Sequence, residues 1–373
     1  MDYKDLETDF LKNFDDYNGH ERVRRFECKE TGLIAFIAVH NTNLGPALGG
    51  CRMFPYETEN DAIKDVLRLS RGMTYKNALA GLPLGGGKSV IIGNPHQQKT
   101  EALIKAMGRA VDTLNGSYIT AEDSGTNVKD MMLMSEETDY VMGRKVENSD
   151  LGGDPSPYTA FGVFSGLKAT CAAKFGSDDL SGKTVAVQGL GAVGYDLCRR
   201  LDAEGAKLIV TDIQQASLDR AVSEFKDVTV VEPDAIFDAD VDIFAPCAMG
   251  AAINAGTLPR LKASVIAGAA NNQLATPAEE KGLEDKGILY APDYAINAGG
   301  VIAVCYEYLH LSGSNPLGHE LTMENMKSHI SGIADTLARI FEIAENRGIS
   351  TARAADELAE RIFMGSEQAR ATA

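Results

Sequence analysis

The stretch Thr184-Val-Ala-Val-Gln188-Gly189-Leu190-Gly191-Ala192-Val193-Gly194, followed by Tyr195 to Leu201, decides the fold. Its first five residues read as a buried strand and the residues after Gly194 as a helix, so the three glycines lie in a strand-to-helix turn. Gly189 makes the tight turn, Gly191 lets backbone approach a pyrophosphate, and Gly194 lets helix and strand pack closely. The start of the helix adds free N–H groups and partial positive charge. The next strand, Lys207 to Thr211, ends on Asp212, about 20 residues on, where a carboxylate accepts ribose hydroxyls. Strand, glycines, helix, strand and acid in this order read as a dinucleotide-binding unit. Asp212 would repel a 2′-phosphate and no Arg follows it directly, so NAD is favoured over NADP.

Working outward, β-rich runs recur at Val228 to Val231, Val241 to Ala245, Ser264 to Ala267 and Ile288 to Tyr290, with helical stretches between them. Such alternation predicts βαβ units and a doubly wound parallel sheet of Rossmann type. Upstream, a strand at Leu33 to His40, a helix from Glu59 to Ala80 and strands at Ser89 to Ile92 and Ser117 to Ala121 predict a separate α/β unit. The run Asp150 to Pro157 is rich in Gly, Pro, Asp and Ser and reads as a hinge. The expected fold is therefore a two-domain α/β protein, with a first domain over residues 1–150 and a dinucleotide-binding domain over 151–334. Ile330, Ile333, Leu337 and Ile340 recur at helical spacing, and residues 335–373 are expected to pack back on the first domain.

Bulk properties set the class. A chain of 373 residues that is 44% hydrophobic and 24% charged is long enough for two cores, and it carries no internal repeat. A formal net charge of −17 repels polyanions, so neither nucleic acid nor an anionic membrane is an expected partner. The six cysteines form no C-x-x-C pair and no zinc-like cluster, which predicts reduced thiols and no metal site. The N-terminus lacks the basic-then-apolar order of a signal peptide, and no apolar run reaches membrane-spanning length. A cytoplasmic protein is expected.

Chemistry is signalled at several points. Ala62, Val66, Leu69 and Met73 form an apolar helical stripe whose continuation lands on Lys76, an ammonium that either bonds the last carbonyls of the helix or holds a carboxylate in a cleft. The run Gly81-Leu-Pro-Leu-Gly-Gly-Gly87-Lys88 is not a phosphate loop, because five residues rather than four separate Gly81 from Gly87. Lys88 instead sits where flexible backbone meets a buried strand, and a lysine partly desolvated near another cation has the lowered pKa that a general base needs. Asp123 follows the strand at 117–121, placed either to balance a lysine or to cap the next helix. Ligands of open sheets bind beyond the carboxyl ends of strands, which marks Cys247 and Ala248 after the fourth strand. The same rule marks Asn271 after the fifth, as a contact to ribose or substrate or as a local turn residue.

Several blocks together resemble the glutamate, leucine, phenylalanine and valine dehydrogenase family, nearest its leucine branch. They are Leu44-Gly-Pro-Ala-Leu-Gly-Gly-Cys-Arg52, Gly72-Met-Thr-Tyr-Lys-Asn-Ala78, Gly85-Gly-Gly-Lys88, Ala121-Glu-Asp123, Asp154-Pro-Ser-Pro157, Ala245-Pro-Cys-Ala248, Ala269-Ala-Asn-Asn-Gln273, Ala291-Pro-Asp-Tyr294 and Asn297-Ala-Gly-Gly300. The resemblance implies that Lys76 holds a substrate α-carboxylate with the Gly49 and Gly50 backbone, that Lys88 is the general base and that Asp123 is its partner. It further implies oxidative deamination of an amino acid to a 2-oxo acid and ammonium, two lobes that close over the substrate, and a homo-oligomer formed through the first domain. Leu48, Met73 and the pairs Ala295-Ile296 and Val301-Ile302 suggest aliphatic pocket walls, which favours leucine, then valine and isoleucine. The glycine turn, Leu82 to Lys88 and Cys247-Ala-Met-Gly250 lean instead toward the phenylalanine branch, the main rival reading. An NAD-binding protein without chemistry is disfavoured by the intact Lys76, Lys88 and Asp123. Together with Gly189, Leu190, Gly191, Ala192, Val193, Gly194 and Asp212, the residues Cys247, Ala248 and Asn271 complete the expected cofactor contacts.

Overall fold

A computed structural model describes residues 1–144 and 151–365 of the chain. The chain divides into two compact units. One comprises Met1–Asp154, Ala303–Met323 and the residues from Ala359, the other Pro155–Ile302 and Glu324–Leu358.

The first unit is built on six strands, β1 (Asp2–Asp5), β2 (Arg22–Cys28), β3 (Leu33–Asn41), β4 (Ala47–Phe54), β5 (Gly85–Ile92) and β6 (Tyr118–Glu122), in the order β1-β2-β3-β5-β4-β6. The first four in that order pair antiparallel, whereas β4 lies parallel to both β5 and β6. Successive side chains of a strand point to opposite faces. Accordingly Phe36 and Ala38 of β3 pack with Ile63, Val66 and Leu67 of the helix Glu59–Leu79, while Ala35, Ile37 and Val39 join the cluster of Leu103, Ile104 and Met107 from the helix Glu101–Asp112. Each helix starts at a threonine whose side chain accepts a backbone N–H, Thr58 from Asp61 and Thr100 from Leu103. The sequence reading places no strand at 47–54, because the consecutive Gly49 and Gly50 contradict strand propensity; tertiary pairing on both sides overrides it.

The second unit carries a wholly parallel sheet of β7 (Thr184–Gln188), β8 (Lys207–Thr211), β9 (Val228–Val230), β10 (Ile243–Pro246), β11 (Val265–Ile266) and β12 (Leu289–Tyr290). Its order β12-β11-β10-β7-β8-β9 is that of a doubly wound dinucleotide-binding sheet, with the reversal between β7 and β10. All six expected strands are present. The chain enters this unit at Pro155 through the helix Ser156–Phe175, which ends where Gly176 turns at φ 76°. Asp150, the first residue of the expected hinge, lies outside the described residues.

The tail differs from expectation. Ile333 and Leu337, on the helix Ile333–Arg347, pack on the helix Ser156–Phe175, where Gly162 and Gly166 leave no room for a side chain: a Cβ on Gly166 would sit 2.7 Å from Leu337. This helix therefore belongs to the second unit, and the expected return of residues 335–373 to the first begins only at Ala359. There Tyr75 donates to Glu360 at 2.7 Å and Asn43 to the Phe363 carbonyl at 3.1 Å. Among the described residues no helix is long and apolar enough to cross a membrane.

Candidate functional site

In the first unit, parallel pairing of β4 with β5 and β6 brings three separated segments into register. Cys51 stands opposite Ser89 on one side and Glu122 on the other, so Gly49 and Gly50 lie between Lys88 and Asp123. Lys88 is 6% exposed, and its Nζ meets Asp123 Oδ2 at 2.5 Å. Burial alone would push the Asp123 carboxyl up, but Lys88 and then Arg52 outweigh it and hold it down at about 2. The pair is thus a buried, charged couple of the kind that proton-transfer sites use.

Gly49 and Gly50 are required by close approach. A Cβ on Gly49 would fall 1.8 Å from the Gly87 carbonyl and 3.1 Å from Met73 Cγ, and one on Gly50 2.8 Å from Asp123 Cβ. Backbone, Met73 and Asp123 therefore meet with nothing between them. Tyr118 fixes this backbone from inside the sheet, its hydroxyl donating to the Gly49 carbonyl at 2.7 Å.

Lys76 lies in the last turn of the helix Glu59–Leu79, beside Asn77, whose amide donates to the Gly85 carbonyl at 2.6 Å and sets that turn against the start of β5. The most deeply buried helix face runs through Ile63, Val66, Leu67, Ser70 and Thr74. Leu69, Met73 and Lys76 stand half-buried at its margin, because 3.6 residues per turn rotates the stripe away from the core. A half-buried lysine there can serve a ligand in a way a core residue cannot.

The second unit gathers the expected dinucleotide residues at the carboxyl ends of its strands. Gly189 has φ 95°, and a Cβ on it would lie 2.8 Å from that of Ala248; one on Gly194 would lie 2.0 Å from the Gly189 carbonyl and 3.1 Å from Cys247 Cβ. A Cβ on Gly191 would meet nothing within 4 Å. The turn is thus filled by protein beneath and open above. Gly191 caps the helix Ala192–Ala203 with no side chain bonded to the first turn, which suits a phosphate held by backbone N–H groups. Asp212 accepts from Leu190 N–H at 2.6 Å and from Gln214 N–H at 2.7 Å, which places the carboxylate beside the turn. These residues fit a dinucleotide.

Asn271 follows β11, with its side-chain oxygen fixed by the Asn297 amide at 2.8 Å, and the backbone of its neighbour Asn272 accepts from Ala251 N–H at 2.7 Å. The loops after β10 and β11 are therefore joined. Ile296, expected as a pocket wall, is instead core: it is fully buried and would contact a Cβ on Gly166 at 2.6 Å. Its aliphatic character suits a pocket wall and a core position equally, so the sequence did not separate the two.

Four contributions escape a sequence reading. Arg52, given no role by its motif, pairs with Asp123 at 3.3 Å and Asp65 at 3.0 Å. Glu307, from the middle of an apolar helix, is 1% exposed and accepts from the Gly143 and Arg144 N–H groups at 3.0 and 3.2 Å. Ile213 and Met249 are 86% and 81% exposed directly after Asp212 and Ala248, where apolar side chains can flank a base. An apolar residue immediately following each strand-end motif was the available signal for the last two. Among the described residues no group of three or more His, Cys, Asp or Glu could hold a metal ion.

Comparison with known proteins agrees with this arrangement. Residues 20–140 match the model of the Glu/Leu/Phe/Val dehydrogenase dimerisation domain, and residues 210–362 that of Glutamate/Leucine/Phenylalanine/Valine dehydrogenase. The chain is 51% identical to a leucine dehydrogenase of Thermoactinomyces intermedius, over 98% of this chain and 95% of the relative. It is 47% identical to a valine dehydrogenase of Streptomyces virginiae, over 93% and 94% of the two chains. A crystal structure of L-tryptophan dehydrogenase from Nostoc punctiforme superposes with a TM-score of 0.79 at 45% identity, covering 94% of this chain and 97% of that one. With its two α/β units, its buried Lys88–Asp123 pair and its glycine turn, the chain belongs to the glutamate/leucine/phenylalanine/valine dehydrogenase family and is an amino-acid dehydrogenase.

Proposed function

We propose that the chain oxidatively deaminates a branched-chain L-amino acid, leucine first and then valine and isoleucine, reversibly and with NAD. The observation that carries this reading is the buried Lys88–Asp123 pair on strands that flank Gly49 and Gly50. Lys76 and the Gly49-Gly50 backbone bind the substrate carboxylate, and Met73 lines the side-chain pocket. Gly189 to Gly194, Asp212, Cys247, Ala248 and Asn271 would hold the nicotinamide dinucleotide, which would supply the acceptor for the hydride on the substrate α-carbon. Lys88, neutral at that stage, takes the proton of a water that attacks the resulting imino carbon. It returns a proton to the departing nitrogen as the carbinolamine collapses to the 2-oxo acid and ammonium. Asp123 holds the lysine in place and balances its charge. The preference for NAD rests on Asp212, whose carboxylate would repel a 2′-phosphate.

The dimerisation-domain match supports a homo-oligomer, and six free cysteines, five of them buried, support a reducing cytoplasm. A second reading, an aromatic amino acid as substrate, is favoured by the 45% identity to a tryptophan dehydrogenase. Initial rates of NADH formation at alkaline pH with leucine, valine, phenylalanine, tryptophan and glutamate, each repeated with NADP, decide between them. Fastest turnover of leucine with NAD is expected; preference for an aromatic substrate would overturn the branched-chain assignment while leaving the Lys88 chemistry standing.

A further inference from the structure

Lys88 shares its partner. Arg52 Nε lies 3.3 Å from Asp123 Oδ2, the same oxygen that carries Lys88 Nζ at 2.5 Å. The far side of the guanidinium is anchored as well, with Nη1 on Asp65 Oδ2 at 3.0 Å. Asp65 is itself fixed, accepting the Tyr56 hydroxyl at 2.6 Å and Arg68 Nε at 2.9 Å. Arg52 therefore cannot swing away from Asp123 without breaking a half-buried network.

A general base is neutral for part of its cycle. When Lys88 is neutral, Asp123 would be a buried carboxylate without a counter-charge, and such a group takes up a proton. An arginine does not deprotonate in proteins, so Arg52 remains charged at every stage. We infer that Arg52 is a positioning residue that keeps Asp123 ionised while Lys88 is neutral, so that Lys88 alone of the pair carries the proton. This inference rests on Lys88 being the base.

Several neighbouring groups keep one protonation state through that titration. On β4 the Cys51 thiol is pushed up by burial to about 12, and burial likewise raises the phenols of Tyr118 on β6 and Tyr56. From the helix Glu59–Leu79, Asp65 is ionised: burial would raise it, but Tyr56, Arg52 and Arg68 together hold it low. Arg68 is paired with Asp65, and Lys99 with Asp130 at 2.7 Å.

Arg52 also lines a cavity of about 440 Å³ with Phe54, Tyr56, Asp61, Lys64, Asp65 and Arg68, so truncating its side chain would leave room there for a small cation. The test is the pH profile of kcat/KM for the full-length enzyme with NAD and its fastest amino acid. Removing a cation beside the pair raises the pKa of both members, so in Arg52→Ala the ascending limb should move to higher pH by about 1 unit or more. Added guanidinium should move the limb back, and Arg52→Lys should leave it near its native position. A purely structural role would lower activity with the limb unmoved, and that result would overturn the inference.

If Arg52→Ala fails to fold, Asp65→Asn supplies the test. The guanidinium then loses its second anion, and the limb should move to lower pH; an unmoved or alkaline limb overturns the inference. Lys88→Ala measured alongside separates the two claims. Turnover retained there removes Lys88 as base, whereas lost turnover with an unmoved limb in Arg52→Ala removes only the role of Arg52.

Discussion

The backbone N–H of Leu190 donates to the Asp212 carboxylate at 2.6 Å, so the glycine turn and the end of the next strand are one rigid piece. The carboxylate that would meet the ribose thus also sets the turn that would meet the phosphates. Asp212→Ala should raise KM for NAD at least tenfold with little change in kcat, as initial-rate kinetics over a range of NAD will report. Because Ile213 is exposed next to it, the pair Asp212→Ser with Ile213→Arg should gain activity with NADP, the guanidinium meeting the 2′-phosphate.

Gly191 and Gly194 should fail in different ways. Gly191 has φ −66° and open space above it, so Gly191→Ala should keep its thermal midpoint while NAD affinity, read by calorimetry, falls. In Gly194→Ala the added Cβ meets the Gly189 carbonyl at 2.0 Å. That clash should destabilise the fold by about 1–3 kcal/mol in urea titrations, whether or not NAD is present.

Lys88→Ala should bind NAD like the native protein and lose about 10²–10⁴-fold in turnover, the usual worth of a positioned base. Normal turnover would remove Lys88 from the chemistry. Asp123→Asn should also lose turnover, with NAD affinity unchanged.

Acid stability has two expected phases. His20 and His40 are buried, at 6% and 4% exposure, and their rings pack edge to face at 4.8 Å. Burial lowers His20 to about 4 and His40 to about 3. Their unfolded forms bind protons first, so stability should fall as pH drops below about 6.5 toward those values. The slope is roughly 1.4 kcal/mol per pH unit for each histidine. Asp123, held down at about 2 against an ordinary 3.8, contributes stability above about pH 4 that is lost as pH falls toward 2. Urea midpoints from pH 7 to 2 will show both phases, and His40→Gln should flatten the first by about one proton.

Much of the second unit was legible because its signals are local. The turn from Gln188 to Gly194 and the acid at Asp212 follow from strand, helix and glycine chemistry within some 25 residues. The first unit keeps its site in long-range register instead. Lys88 and Asp123 could be nominated one at a time, each near a strand end, but their 2.5 Å contact depends on β4 lying between β5 and β6, and β4 is the strand its glycines hide. Arg52 was invisible for the same reason. The tail misled because amphipathic spacing in Ile333 to Ile340 shows that a face is buried, not which unit buries it.

The helix Thr351–Met364 is divided between the two units. Its first half serves the second unit, where Asp356 accepts from Tyr294 at 2.6 Å, and its second half the first, where Glu360 receives Tyr75. Each unit therefore completes its packing with residues of the same helix. A break or a proline within these 14 residues would reach both units at once, so one segment of chain ties their stabilities together.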